Sequence, residues 1–175
     1  MSDSILPSGS QPNSTGHSPK ESKTSQSNPQ MENPETRTYT AEFENLDHVR
    51  EFVRGAAEQC GLEAPAIYAA QLAVDEAFSN IIEHAYGGEC QDKIDCTCLI
   101  TDTGLTITLR DCGQPFDPSV IPDPDLEADL EDRDIGGLGL FFIRELMDEV
   151  EFTFAPEEET GRQCNILRMV KNKES

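Results

Sequence analysis

A chain of 175 residues, 36% hydrophobic and 27% charged, has room for one domain with a modest core and a tail, and not for a second core. Its net charge of −21 and isoelectric point near 4.2 exclude duplex DNA and anionic membranes as main partners, because both demand basic patches. A polyanionic ligand stays open if a metal ion and backbone amides carry its charge.

Met1 to about Glu35 is Ser, Pro, Asn, Gln and Gly with almost no apolar content. It cannot offset its ordering entropy, so residues 1–35 are predicted to be a disordered tail, with a docking or phosphorylation role as the alternative. Met1–Pro12 has neither a basic n-region nor an apolar run, and no stretch approaches the roughly 18 apolar residues of a membrane helix. A cytoplasmic protein that does not engage membranes is expected, and the acidity would also suit a salty cytoplasm. The six cysteines (60, 90, 96, 98, 112 and 164) contain no CxxC pair and are expected to be buried reduced thiols, with a metal or redox role as the alternative. Cys96 and Cys98, two apart, face the same side of a strand.

The ordered domain is expected over 36–175. Thr36–Phe43 alternates and reads as a strand. Asn45 is a plausible N-cap for a helix over Leu46–Cys60, which Gly61 ends. A second helix is predicted from Ala64 to Tyr86, stopped by Gly87 and Gly88. Ile67, Gln71, Val74, Phe78, Ile81 and Ala85 form one stripe; Ala69, Leu72, Ala73, Glu76 and Asn80 form another. Glu76 and Asn80 are four apart and stack on one face, and His84 continues the line. A polar stripe on a buried helix is a solvated face, a satisfied core network or the floor of a site. For His84, packing at the helix end competes with a catalytic role.

Lys93–Thr101 and Leu105–Asp111 read as a hairpin about Asp102-Thr103-Gly104. Period two puts Asp111 on the same face as Leu105, Ile107 and Leu109. That favours a functional carboxylate, with an Asx turn before Gly113 as the alternative. Residues 115–134 are irregular, rich in Pro, and carry eight acids from Asp117 on against one base, Arg133. A loop this long in a small domain is a lid or binding loop, or else a solvated loop with a helical turn near Leu126–Leu130. Gly136-Gly137-Leu138-Gly139-Leu140 then opens an amphipathic helix over Leu140–Met147, an arrangement that lets phosphate approach backbone amides. Val150–Phe154 and Asn165–Val170 close the chain as strands. The order β, α, α, β, β, lid, α, β, β predicts an α+β two-layer sandwich, helices packed on one face of a mixed sheet.

Three segments stand in order: VDEAFSNIIEHAY, LRDCGQPFDP and IGGLGLFFIRELMDEVEF. Together they resemble the N-box, G1 and G2 motifs of the Bergerat-fold (GHKL) ATPases, and most closely the anti-sigma-factor serine/threonine kinases of the RsbW and SpoIIAB type. The resemblance spans about Thr36 to Val170. It implies ATP and Mg²⁺, with Glu76 as general base and Asn80 holding Mg²⁺ against the phosphates. It assigns Asp111 to the adenine amino group and Gly113 to close approach of the base. Gly137, Leu138, Gly139 and Leu140 would line the phosphates, a lid would span about 115–135, and Arg133 would be the lid's only basic contact. By the same resemblance the chain phosphorylates a STAS-like antagonist, regulates a sigma factor by partner switching, and dimerises. The acidic lid motivates the alternative of an ATP-binding partner-switch module without kinase activity. No basic, aromatic-interleaved surface is visible, so direct nucleic-acid binding is not expected.

Overall fold

The computed structural model describes residues 33–116 and 138–174. The tail expected over 1–35, up to residue 32, and the lid expected over about 115–135, from residue 117 on and with Arg133, lie outside the described residues, as does Gly137. The strands are β1 (Glu35–Ala41), β2 (Cys90–Ile100), β3 (Gly104–Asp111), β4 (Glu149–Pro156) and β5 (Gln163–Asn172), and the helices are α1 (Leu46–Cys60), α2 (Ala64–Asn80) and α3 (Leu138–Leu146). The five strands form one sheet in the order β1-β2-β3-β5-β4.

Every pairing among the described strands is antiparallel, where the sequence predicts a mixed sheet. The physical reason lies in the insertion of β5. β3 and β4 run the same way, joined through α3, but β5 sits between them and pairs with both. Parallel strands therefore occur without ever being neighbours.

One face of the sheet carries the core. Ile94, Cys96 and Cys98 of β2, Leu105, Ile107 and Leu109 of β3, and Leu167 and Met169 of β5 are all buried. The register lines them up rung by rung: Cys96 faces Leu109, which faces Leu167, while Cys98 faces Ile107, which faces Met169. α1 supplies Val49, Phe52, Val53 and Ala56 to the same core. α2 is the central helix and packs against both α1 and α3. Its buried positions are mostly small (Ala66, Ala70, Ala73 and Ala77), which lets both neighbours come close. Each large aliphatic fully buried here contributes about 1.5–3 kcal/mol.

Two local expectations change. Asn45 does not cap α1 with its side chain; it closes a short 3₁₀ turn, and its amide donates to Thr40 O at 3.0 Å and Thr40 Oγ1 at 2.9 Å. The second helix does not run as α-helix to Tyr86. It stops at Asn80 and continues as a π-helical turn over Ile81–Ala85, a widening that is frequent at functional sites. Gly61 behaves as expected, ending α1 at φ 83°.

Of the cysteines, Cys60, Cys96 and Cys98 are buried free thiols and Cys90 is a half-buried one. Cys112 and Cys164 are joined in a disulfide, contrary to the expectation that all six are reduced. The sheet explains it: Asp111 pairs with Asn165, so the next residues along, Cys112 and Cys164, face one another with Cα atoms 4.0 Å apart.

Candidate nucleotide-binding site

The polar stripe of α2, the end of β3 and the start of α3 meet at one end of the sheet. Asn80 Nδ2 donates to Glu76 Oε1 at 3.2 Å, so the two stacked side chains form a pair. Gly139, in the first turn of α3, lies directly on that pair. A Cβ added there would fall 1.9 Å from Glu76 Oε1 and 2.9 Å from Asn80 Nδ2. Only glycine leaves room for the carboxylate at the N-terminus of α3, where free backbone N–H groups and the positive dipole end favour negative charge. Leu138 opens this helix, and Leu140 is buried beside it.

Asp111 closes the site from the sheet side. At 3% exposure it is the one buried charged residue among the described residues. Oδ1 accepts from the Gly113 amide at 2.9 Å and from Asn165 Nδ2 at 2.8 Å. Burial pushes the Asp111 carboxyl above its ordinary range, and the Gly113 and Asn165 donors partly pull it back. The carboxylate faces a cleft whose walls include Ile81, Ile143, Phe116, Phe152 and Leu167, with Asn80 and His84 among its polar positions. Phe116 and Phe152 pack with ring centroids 5.6 Å apart. Apolar walls with a few placed polar groups are what a nucleobase site needs.

The π turn ties the helix to the β3 end. Gln114 N donates to Ala85 O at 2.7 Å, and a Cβ on Gly113 would lie 2.6 Å from that same oxygen. Tyr86 Oη donates to Lys93 O at 2.9 Å and accepts from Cys112 N at 3.2 Å. Gly113 is thus required by close approach of two backbones, and the Asx turn is present as well; the turn and the cleft use the same Asp111 carboxylate. His84 is exposed on the cleft's rim.

Asn165 escaped the sequence reasoning although the signal was there. It is two residues before Leu167 and four before Met169, so period two puts it on the inner face, as it does Asp111. Besides Asp111, its amide donates to Gln114 O at 3.0 Å, and its Oδ1 accepts from Phe116 N at 3.1 Å. It therefore braces both the carboxylate and the chain leaving β3.

A buried carboxylate at the end of an inner strand, a Glu–Asn pair on a central helix and a glycine-opened helix facing both make the arrangement that an ATPase-type nucleotide cleft needs. The family described as the histidine kinase-like ATPase domain matches residues 39–171, and the chain belongs to it. Over 104 residues the chain is 36% identical to a Listeria monocytogenes protein named serine-protein kinase RsbW, a match covering 57% of this chain and 66% of that protein. Over 95 residues it is 33% identical to the anti-sigma F factor of Oceanobacillus iheyensis, covering 50% of this chain and 60% of that protein. The matches thus span less than two thirds of either relative. The fold is similar to that in the crystal structure of the RsbU and RsbW domains of a Mycobacterium tuberculosis protein, with a TM-score of 0.51 at 18% identity, covering 81% of this chain and 33% of that one.

Among the described residues no group of three or more His, Cys, Asp or Glu is placed to hold a metal ion alone. The donor set nonetheless fits Mg²⁺ shared with phosphate oxygens. Asn80 has its amide nitrogen engaged with Glu76, which leaves the amide oxygen as a hard ligand. No described helix is long and apolar enough to cross a membrane.

Proposed function

We propose that this chain is an ATP-dependent serine/threonine protein kinase of the anti-sigma-factor type, working in the cytoplasm on a STAS-like antagonist and regulating a sigma factor by partner switching. The observation that carries the reading is the contact of Gly139 with the Glu76–Asn80 pair, opposite a buried Asp111. The adenine amino group donates to Asp111, whose Oδ1 is already fixed by Gly113 and Asn165. Phosphates lie at the N-terminus of α3 against the amides of Leu138, Gly139 and Leu140; the roles expected of Gly137 and Arg133 fall outside the described residues. Asn80 would hold a Mg²⁺ ion through the amide oxygen that its bond to Glu76 leaves free, and that ion would supply neutralisation of the charge on the phosphates. Glu76 takes the proton of the acceptor hydroxyl as that oxygen attacks the γ-phosphorus and ADP departs.

The names of the relatives support a serine acceptor and an anti-sigma role. Purified protein with Mg-ATP and its antagonist is expected to yield phosphoserine or phosphothreonine, and Glu76→Ala to abolish it. Undiminished transfer by that variant overturns the base assignment. A second reading, an ATP-binding partner switch without transfer, is favoured by residues 117–134, where eight acids surround a single arginine. ATP binding with no phosphorylated partner would select it. A homodimer belongs to either reading.

A further inference from the structure

We propose that Cys112 and Cys164 form a reversible thiol–disulfide site that sets the affinity of the neighbouring nucleotide cleft, and that its reactant is a dithiol reductant. The coupling half of this inference rests on the nucleotide reading of Asp111.

The pair is built directly onto the cleft. Asp111 and Asn165 form the last rung of the β3–β5 ladder, and the disulfide is the next link across the same two strands. By period two, Asp111 and Asn165 point to the core face, while Cys112 and Cys164 point to the other. The link therefore holds the strand ends together from behind the site. In front of it, the 2.8 Å bond from Asn165 to Asp111 depends on that separation, as do the bonds from Asn165 to Gln114 and Phe116.

The two sulfurs differ in a way that suits exchange. Cys164 is fully buried, whereas Cys112 is half-buried and lines an open cavity of about 240 Å³ whose charged positions are Lys93, Arg110 and Arg162 with Asp92, Asp95 and Glu157. Of the two sulfurs, the one on the cavity side, Cys112 Sγ, is therefore the point of attack for an incoming thiolate. The S–S bond breaks, a mixed disulfide forms at Cys112, and Cys164 departs as thiolate. Arg110 Nη2 lies 3.3 Å from Cys164 Sγ, so a guanidinium faces the leaving sulfur and stabilises its charge. Cys164 then takes a proton from solvent. The second thiol of the reductant displaces Cys112, and the reductant leaves as its own disulfide. Two electrons pass to the protein, and oxidation by a small disulfide runs the steps in reverse. In a reducing compartment such disulfides are usually transient and redox-sensing, which matches a link placed beside a binding site rather than in the core.

The test uses the full chain. After mild oxidation, iodoacetamide under denaturing conditions is expected to modify four of the six cysteines; after dithiothreitol it should modify all six. Calorimetric titration with Mg-ATP should give an affinity roughly five- to tenfold weaker for the reduced protein, the effect of loosening about one positioning hydrogen bond. A Cys112→Ser/Cys164→Ala chain should bind like the reduced form and ignore redox treatment. Arg110→Gln should slow reduction by dithiothreitol several-fold. Modification of all six cysteines after oxidation overturns the site. An unchanged reduction rate in Arg110→Gln overturns the leaving-group assignment. ATP binding that ignores redox state overturns the coupling alone, whereas no ATP binding in either state sinks the proposed function and the coupling with it.

Discussion

Replacing Gly139 by alanine should separate catalysis from stability. The new Cβ would sit 1.9 Å from Glu76 Oε1, 2.8 Å from its Cδ and 2.9 Å from Asn80 Nδ2. All three are outer atoms of flexible side chains, so the backbone can stay where it is. Carbon contacts settle near 3.5–4 Å, so the Glu76 carboxylate must retreat by more than about 1 Å. Forcing a side chain off its rotamer costs ~0.5–1.5 kcal/mol. Exchanging glycine for alanine in a helix returns ~0.8–1 kcal/mol. The two nearly cancel, and the melting temperature should move by no more than about 3 °C. Transfer is another matter, because a misplacement of about 1 Å at the reacting groups costs on the order of 100-fold. Single-turnover phosphorylation of the antagonist at saturating Mg-ATP, paired with thermal melts, measures both. Full-rate transfer by a well-folded Gly139→Ala protein would refute the placement of Glu76 at the reacting centre. The opposite pattern is expected of Gly113→Ala, whose Cβ would meet Ala85 O at 2.6 Å and Ala85 C at 2.7 Å. Backbone cannot swing aside, so this change should destabilise the fold by ~1–3 kcal/mol.

Asp111→Asn should weaken ATP by roughly ten- to a hundredfold, the loss of a hydrogen bond to a charged acceptor, as read by calorimetry; unchanged affinity would remove Asp111 from base recognition. Because burial raises the Asp111 carboxyl, its two pH effects have opposite signs. The folded state holds this proton more tightly than the unfolded one, so the stability Asp111 contributes to the free protein is fully present below the unfolded value and is lost as pH rises through the folded one. ATP affinity needs the ionised form, so it should fall on acidification before an ordinary aspartate would titrate; a titration series over mildly acidic pH, with Asp111→Asn as control, checks this. Asp75→Ala should cost about 1 kcal/mol, read as a drop of a few degrees in melting temperature, because Asp75 Oδ2 accepts from Arg50 Nε at 2.7 Å and joins α1 to α2. The pair is partly exposed, and Asp75 Oδ1 is buried without a partner, so the net value is smaller than the short distance suggests.

The fold and the site were legible to different depths, for physical reasons that individual residues make plain. Periodicity carried α1 to its observed ends, because a buried face and a glycine stop are local signals. It carried Asp111 to the inner face for the same reason. It did not reveal the π turn at Ile81–Ala85, because one extra residue per turn leaves an apolar run looking equally helical. It could not show that β5 inserts between β3 and β4, since strand order is a matter of packing across the whole sheet.

That insertion decides the rest. With β5 beside β3, Asn165 comes opposite Asp111, and a residue that period two places only on the inner face becomes the brace of the most deeply buried carboxylate in the described chain. The same neighbour relation brings Cys164 to Cys112 across 52 residues of sequence. Counting cysteine spacings could not have found the bridge, because it follows from a strand order that skips β4. Asn165 and the disulfide are therefore one consequence seen from the two faces of the sheet. A substitution that shifts the β3–β5 register by one residue would turn Asn165 away from the cleft and part the cysteines together. Loss of the disulfide by itself, as in Cys112→Ser, would leave the register intact. The Asn165–Asp111 bond should then persist and merely loosen, which is why reduction is expected to weaken ATP binding and not to abolish it.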